Sequence, residues 1–185
     1  MRNKVNDFSM KFTIHVILIF ILSVFVLSNT YAETPITDYQ DSVLNFYSTK
    51  EAYGEFSNFA LYPIVVDGIN WPSSEHYYQA HKYIDPDLME KVRAAKTPYD
   101  ATVIGRDPTI PKRPDWDVYK DIAMEVAIRA KFEQYDYLKR LLKSTNEAVL
   151  HEHTKNDIYW GDGGDGSGKD KLGELLMKLR SALIF

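Results

Sequence analysis

Trp71-Pro72-Ser73-Ser74-Glu75-His76-Tyr77-Tyr78-Gln79-Ala80-His81-Lys82-Tyr83 is the stretch that decides the fold, and it reads as the opening of a helix. Ser73 is the expected N-cap, its hydroxyl able to satisfy a first-turn amide that has no intrahelical partner. Pro72 bars helix upstream and makes the entry abrupt. At helical periodicity Glu75, Tyr78, Gln79 and Lys82 fall on one face, an acidic, phenolic and cationic stripe. Glu75 stands in the first turn, where the helix dipole favours its charged form. An ordinary helix would explain Tyr77, Ala80 and Tyr83 as core and Glu75 with Lys82 as a solvated ion pair worth little. Tyr, Trp and His crowded around one carboxylate are what the wall of a site would use.

Working upstream, Leu61 to Val66, then Asp67-Gly68, then Ile69 to Trp71 predicts a hairpin. Asp-Gly between branched residues is a type I′ turn signal. Phe56-Ser57-Asn58-Phe59 reads as a loop opened by Gly54, Val43 to Tyr47 as a short strand, and residues 33–42 as an extended leader. Downstream, Asp85-Pro86 and Thr97-Pro98 each place a cap before a proline at the first helical position, predicting helices over about 86–95 and from 98 to near Gly105. Residues 106–114 hold three prolines among Arg106, Lys112 and Arg113 and read as loop. Asp115-Trp116 opens the longest helix, to about Gln134, with Ile122, Val126 and Ala130, beside Ala123 and Ala127, at helical spacing. Tyr137 to Lys143 is a further helix and Val149 to His153 a strand. Lys171 to Leu183 closes the chain as an amphipathic helix with Leu172, Leu175, Leu176 and Leu179 inward. Without βαβ alternation, the pattern predicts a mainly helical α+β domain with a few short strands.

The chain has 185 residues, enough for a real core, and no cysteine, which excludes disulfides, thiolate metal sites and cysteine nucleophiles. Residues 1–32 stand apart. Met10-Lys11 precedes an apolar run from Phe12 to Ser28, and Ala32 supplies a small residue before Glu33, which describes a secretory signal peptide. The rival is an N-terminal membrane anchor over residues 12–28, short for a bilayer span. The expectation is export, with residues 33–185 as the functional domain and the membrane met only through this segment. Removing 1–32 takes away Arg2, Lys4, Lys11 and Asp7, leaving 19 basic against 25 acidic residues, a net −6. General attraction to a nucleic-acid backbone is thereby disfavoured, and an anionic substrate needs a local basic cluster.

A second stretch, Tyr159-Trp160-Gly161-Asp162-Gly163-Gly164-Asp165-Gly166-Ser167-Gly168-Lys169-Asp170, holds five of the nine glycines and leads into the last helix. So many glycines let backbone amides turn towards an anion at an entropic cost. Gly163 to Lys169 even has P-loop spacing. Asp170, however, stands where Ser or Thr should ligate magnesium, and no convincing parallel strand precedes the loop. The aspartate spacing fits no calcium loop. His151-Glu152-His153 would put two imidazoles on one face of a strand, but no third zinc ligand is indicated, and no metal or other cofactor is expected. The chemistry that remains is a carboxylate constellation. Glu75 and Asp162, aromatics Trp71, Tyr78, Trp116 and Trp160, and cations Lys82 and Arg106 suit stacking a heterocycle, gripping a phosphate and setting an acid beside a sugar carbon. Glycosidic cleavage uses carboxylates because its transition state resembles an oxocarbenium ion.

The motifs Phe46-Tyr47, Phe56-Ser57-Asn58-Phe59, Trp71 to Tyr77, Gly105-Arg106, Asp115-Trp116, Ala130-Lys131-Phe132, Tyr159 to Gly163 and Leu172-Gly173 together resemble the NADAR superfamily, most of all its YbiA-like N-glycosidases, over about residues 44–183. The resemblance implies a compact, mostly helical α+β fold that hydrolyses an N-glycosidic bond between a phosphorylated ribose and a nitrogen heterocycle. For YbiA-like members these are the ribosylamino-pyrimidine phosphates of riboflavin synthesis; other members remove ADP-ribose from guanine. Carried over by motif, Glu75 and Asp162 are the expected catalytic pair and Trp116 and Trp160 bound the heterocycle. Tyr78, Lys82, Arg106, Asn58, Gly161 and Gly163 complete the expected substrate contacts. Asp170 stands where the family more often has Asn, near the expected phosphate. The partner is then a small phosphoribosyl or ADP-ribosyl molecule, with nucleic acid only as a modified substrate. The rival readings are an ADP-ribosyl-guanine hydrolase with a basic open cleft and a non-catalytic NAD or ADP-ribose binding module. Against the second, a pure anion binder gains nothing from two acids in its site. A structural role would leave no deep cleft around Trp160.

Overall fold

The computed structural model describes residues 42–184, so the expected leader, 1–32, and nearly all of the 33–42 stretch lie outside the described residues. Strand β1 (Val43–Phe46) is followed by a short 3-10 turn (Gly54–Phe56) and by β2 (Ile64–Val66) and β3 (Ile69–Trp71). Helices α1 (Ser74–Ala80), α2 (Pro86–Arg93), α3 (Pro98–Gly105), α4 (Trp116–Gln134) and α5 (Asp136–Ser144) then lead to β4 (Val149–Glu152) and α6 (Lys171–Ala182). The class is mainly helical α+β.

Each start signal has its cause in the sequence. Asp67 and Gly68 both take left-handed backbone, φ 51° and 77°, which is the type I′ turn that matches strand twist. The hairpin is shorter than expected, pairing Ile64 with Trp71 rather than beginning at Leu61, because Pro63 cannot donate to a ladder. Ser73 is extended and its hydroxyl accepts the His76 amide at 3.3 Å. Asp85 and Thr97 cap α2 and α3 in the same way, each with proline next. Asp115 makes no side-chain cap to α4; its carboxylate pairs instead with Arg113 at 2.6 Å.

Helix α1 is the centre of the molecule. Every one of its residues is buried, and it packs against α2, α3 and α4. It ends at Ala80, so Lys82 reaches the site from the turn after the helix rather than by helical periodicity. The buried stripe of α4 is also rotated from the expected one: Ala123, Met124, Ala127, Ile128 and Phe132 point inward, while Ile122 is 52% exposed. In α6, Leu172, Leu176 and Leu179 are buried as expected and Leu175 is half-buried.

One pairing joins segments far apart in the described chain. β1 and β4 run parallel, Val43 beside Val149 and Phe46 beside Glu152. Since α1 through α5 all lie between these strands in sequence, the pair closes the domain and brings residues 47–49 and 152–160 to the same side as α1.

Candidate active site

A cavity of about 620 Å³ opens between the loop after β1, helix α1, the start of α4 and the chain after β4. Glu75 stands in its wall, only 2% exposed. Three donors reach its carboxylate from three directions. Gln79, one turn on, donates to Oε1 at 2.6 Å; Thr102 on α3 donates to the same oxygen at 2.6 Å; the Asn58 amide donates to Oε2. The Glu75 amide returns a bond to the Asn58 carbonyl at 3.0 Å. Burial pushes the Glu75 pKa up, and Thr102, Gln79 and the charges of Lys82 and Arg106 push it back. A set of donors without an acceptor is complementary to the ionised, acceptor-only form. Gly105 belongs to the same arrangement, because a Cβ there would run into the Gln79 amide.

Beside the carboxylate lies an aromatic corner. Tyr78 packs against Trp116 with ring centres 5.1 Å apart and edge-to-face on Trp160 at 5.5 Å, and the Trp160 indole donates to the Tyr78 hydroxyl at 3.0 Å. Lys82 is buried with its ammonium 5.6 Å from the Tyr78 ring and 5.8 Å from Trp116, donating to the Gly105 carbonyl at 3.1 Å. Desolvation draws its pKa down to about 8, although Glu75 opposes the shift. Arg106, Lys112 and Lys120 add further positive charge to the lining.

Glu75, Tyr78, Lys82, Asn58, Arg106, Trp116 and Trp160 therefore meet in one cavity. Asp162, Gly161, Gly163 and Trp71 are not among its lining residues. The Asp162 carboxylate is taken up by its own loop: His153 Nδ1 at 2.7 Å, the Thr154 amide at 3.1 Å and the Gly164 amide at 2.7 Å. Partial burial works the other way, yet these donors hold its pKa below the usual carboxylate range. Asp162, expected to share acid–base work with Glu75, is thus placed outside this cavity's lining, with its carboxylate bonded within the segment that carries Trp160. Gly161 is small because a Cβ would stand 2.8 Å from the Glu152 carbonyl, and Gly163 takes φ 79° in the turn. Trp71 packs edge-to-face on Tyr77 in the core, 5.3 Å between ring centres.

The glycine loop does not cradle an anion in this cavity. A parallel strand, β4, does precede it, contrary to expectation, but ends at Glu152, well before Gly163. Asp170, expected near a phosphate, instead bonds His151 Nδ1 at 2.7 Å and the Glu152 amide at 2.9 Å. His151 and His153 are thus each held by an aspartate, and no cluster of three or more potential metal ligands occurs among the described residues. Sequence reasoning missed Thr102 and the middle residue of His151-Glu152-His153. Glu152 alternates with buried Leu150, is 6% exposed, and lines the cavity. Alternation along a strand was the available signal.

The NADAR domain model matches residues 45–184. The chain belongs to the NADAR family. It is 53% identical to N-glycosidase YbiA of Escherichia coli over 144 residues, 78% of this chain and 90% of that protein. The NMR structure of E. coli YbiA superposes with a TM-score of 0.73 at 49% identity, covering 80% of this chain and 92% of that one. A maize chloroplast protein, riboflavin biosynthesis protein PYRR, is 37% identical over 80% of this chain but only 26% of its own length. This NADAR chain is an enzyme of the N-glycosidase kind.

Proposed function

We propose that the enzyme hydrolyses the N-glycosidic bond of ribosylamino-pyrimidine 5′-phosphates, releasing ribose 5-phosphate and the free aminopyrimidine. The observation that carries this reading is the buried Glu75 carboxylate, held by Asn58, Gln79 and Thr102 in the wall of an aromatic and cationic cavity. As the C1′–N bond breaks, positive charge develops on the ribosyl ring, and a fixed carboxylate beside it stabilises that charge and takes the proton of the attacking water. Tyr78, Trp116 and Trp160 offer faces on which a flat heterocycle stacks. Lys82 and Arg106, with Lys112 and Lys120, offer charge for the phosphate. The names of the E. coli and maize proteins, an N-glycosidase and a riboflavin biosynthesis protein, support this substrate class.

The test is release of ribose 5-phosphate by the full chain, with Glu75→Gln as control. The variant is expected to lose about 10²- to 10⁴-fold in kcat. Near-wild-type turnover by a folded Glu75→Gln protein would overturn the mechanism, and release of ADP-ribose from ADP-ribosylated guanine alone would move the substrate to that rival. We further propose that residues 1–32 export the enzyme. Material recovered outside the cytoplasm should begin at Glu33; an intact Met1 or Met10 terminus on membrane-bound protein would favour the anchor instead.

A further inference from the structure

Strand β4 continues a buried row with a carboxyl where an aliphatic residue would ordinarily stand: Leu150 is fully buried and Glu152, the next residue on that side, is 6% exposed. An acid in such a position carries a desolvation penalty unless it is paired. Among the described residues Glu152 makes its hydrogen bonds through its backbone. Its N–H donates to Asp170 Oδ1 at 2.9 Å and its carbonyl accepts from the Asp162 amide at 3.0 Å. Gly161 closes on the same carbonyl, and Thr154 just beyond is tied to Asp162 Oδ1 at 3.1 Å. Both sides of the Glu152 backbone are thus clamped by the acidic glycine-rich loop, while Glu152 lines the cavity that Glu75 also lines.

The two acids have opposite surroundings. Glu75 has three donors and Lys82 close by. Glu152 is surrounded, besides its burial, by Asp157 from the loop after β4, Glu75 from α1, Asp170 before α6 and Asp162 from the glycine loop, and all of these push its pKa the same way, to about 8. Burial raises both pKa values; what separates the two acids is hydrogen bonding, three donors that favour ionised Glu75 against none to the Glu152 carboxyl among the described residues, and that difference divides them into a base and an acid.

We propose that Glu152 is the second catalytic residue of this site, the acid that protonates the departing nitrogen while Glu75 serves the ribosyl carbon, an inference that rests on the N-glycosidase reading above. The C1′–N bond breaks with its electron pair going to nitrogen, and the Glu152 carboxyl proton follows that pair, leaving a carboxylate. Water forms the new C1′–O bond and its proton passes to Glu75. Exchange with solvent returns a proton to Glu152 and removes one from Glu75, so the cycle consumes one water. An acid that must be protonated gives kcat an alkaline limb, and the loop that clamps Glu152 explains why a segment outside the cavity is built so elaborately.

The experiment compares wild type and Glu152→Gln on two substrates: the ribosylamino-pyrimidine phosphate, and p-nitrophenyl ribose 5-phosphate, whose leaving group departs without a proton. Glu152→Gln should lose about 10²- to 10³-fold in kcat on the first, together with the alkaline limb, and lose little on the second. Equal losses on both, or an unchanged alkaline limb, would overturn the assignment. The infrared carbonyl band of a protonated carboxylic acid supplies a readout that needs no turnover. In wild type a buried carboxylic acid should persist at pH 7 and titrate away near pH 8, and that band should be missing from folded Glu152→Gln; no such band in wild type at pH 7, or the same band in the variant, overturns the proposal. A wild type inactive on the pyrimidine substrate would sink the substrate reading, and the infrared comparison would then decide for or against the acid by itself.

Discussion

The Glu75 carboxylate is set by three side chains that arrive from three places in the sequence, and each controls its proton. Asn58 donates to the oxygen opposite the one held by Gln79 and Thr102. A donor to the charged form favours that form. Burial has already raised the Glu75 pKa, so its ionised population is lost as pH falls through the folded value. Asn58→Ala removes one restraining donor, and the acid limb of kcat/KM should therefore move to higher pH, as a pH–rate profile would register. An unchanged limb would mean that Asn58 positions substrate rather than tuning Glu75. The Gln79 half of this arrangement was legible in the sequence, because residues one turn apart on a helix face are neighbours by local geometry. Asn58 was recognised by its motif, but its bond to Glu75 was not. Thr102 left no sign, since contacts between separate helices are written in no local pattern. Where the Asp162 carboxylate turns was hidden for the same reason, since it is set by His153 and the Thr154 amide.

Helix α4 supports the site from behind. Lys131, fully buried, donates its ammonium to the Glu55 carbonyl and to the Ser57 carbonyl at 2.8 Å, so α4 holds the very segment that presents Asn58. Burial lowers the Lys131 pKa from 10.5 to about 7, with the Glu55 charge opposing. The unfolded chain keeps this proton up to its ordinary value, so between pH 7 and 10.5 it binds more protons than the folded state, and stability rises with pH across that window. Lys131→Met should remove this contribution: the stability difference between wild type and variant, from urea unfolding at pH 7 to 9, should change in favour of wild type by up to about 1.4 kcal/mol per pH unit. A constant difference would show Lys131 charged throughout. Element boundaries were largely readable because their causes are local, in the Ser73, Asp85 and Thr97 caps, the prolines after them and the Asp67-Gly68 turn. The rotation of the α4 stripe was not, because which apolar face turns inward depends on the volume its neighbours leave.

Across the whole molecule the chain carries a net charge of −4, yet its cavity collects Lys82, Arg106, Lys112 and Lys120. An anionic substrate is thus drawn in by a local field set against the overall charge, and salt screens such attraction. KM should rise several-fold from about 0.05 to 0.5 M salt while kcat stays nearly constant; a KM insensitive to salt would remove these cations from substrate binding. The sequence showed the opposing totals but not the gathering, which needs Lys112 and Lys120 carried in from separate segments. The parallel pairing of β1 with β4 has a consequence of another kind, for the order of assembly. The hairpin and α1 to α3 are neighbours in sequence and can form while the rest of the chain is still emerging, whereas β4 meets β1 only after α4 and α5 have been made, and such distant closure is slow. Glu75 is in place early and Glu152 late. On the roles proposed for the two acids, a nascent chain holds half a site, and turnover is expected to begin only when the last of the described strands finds the first.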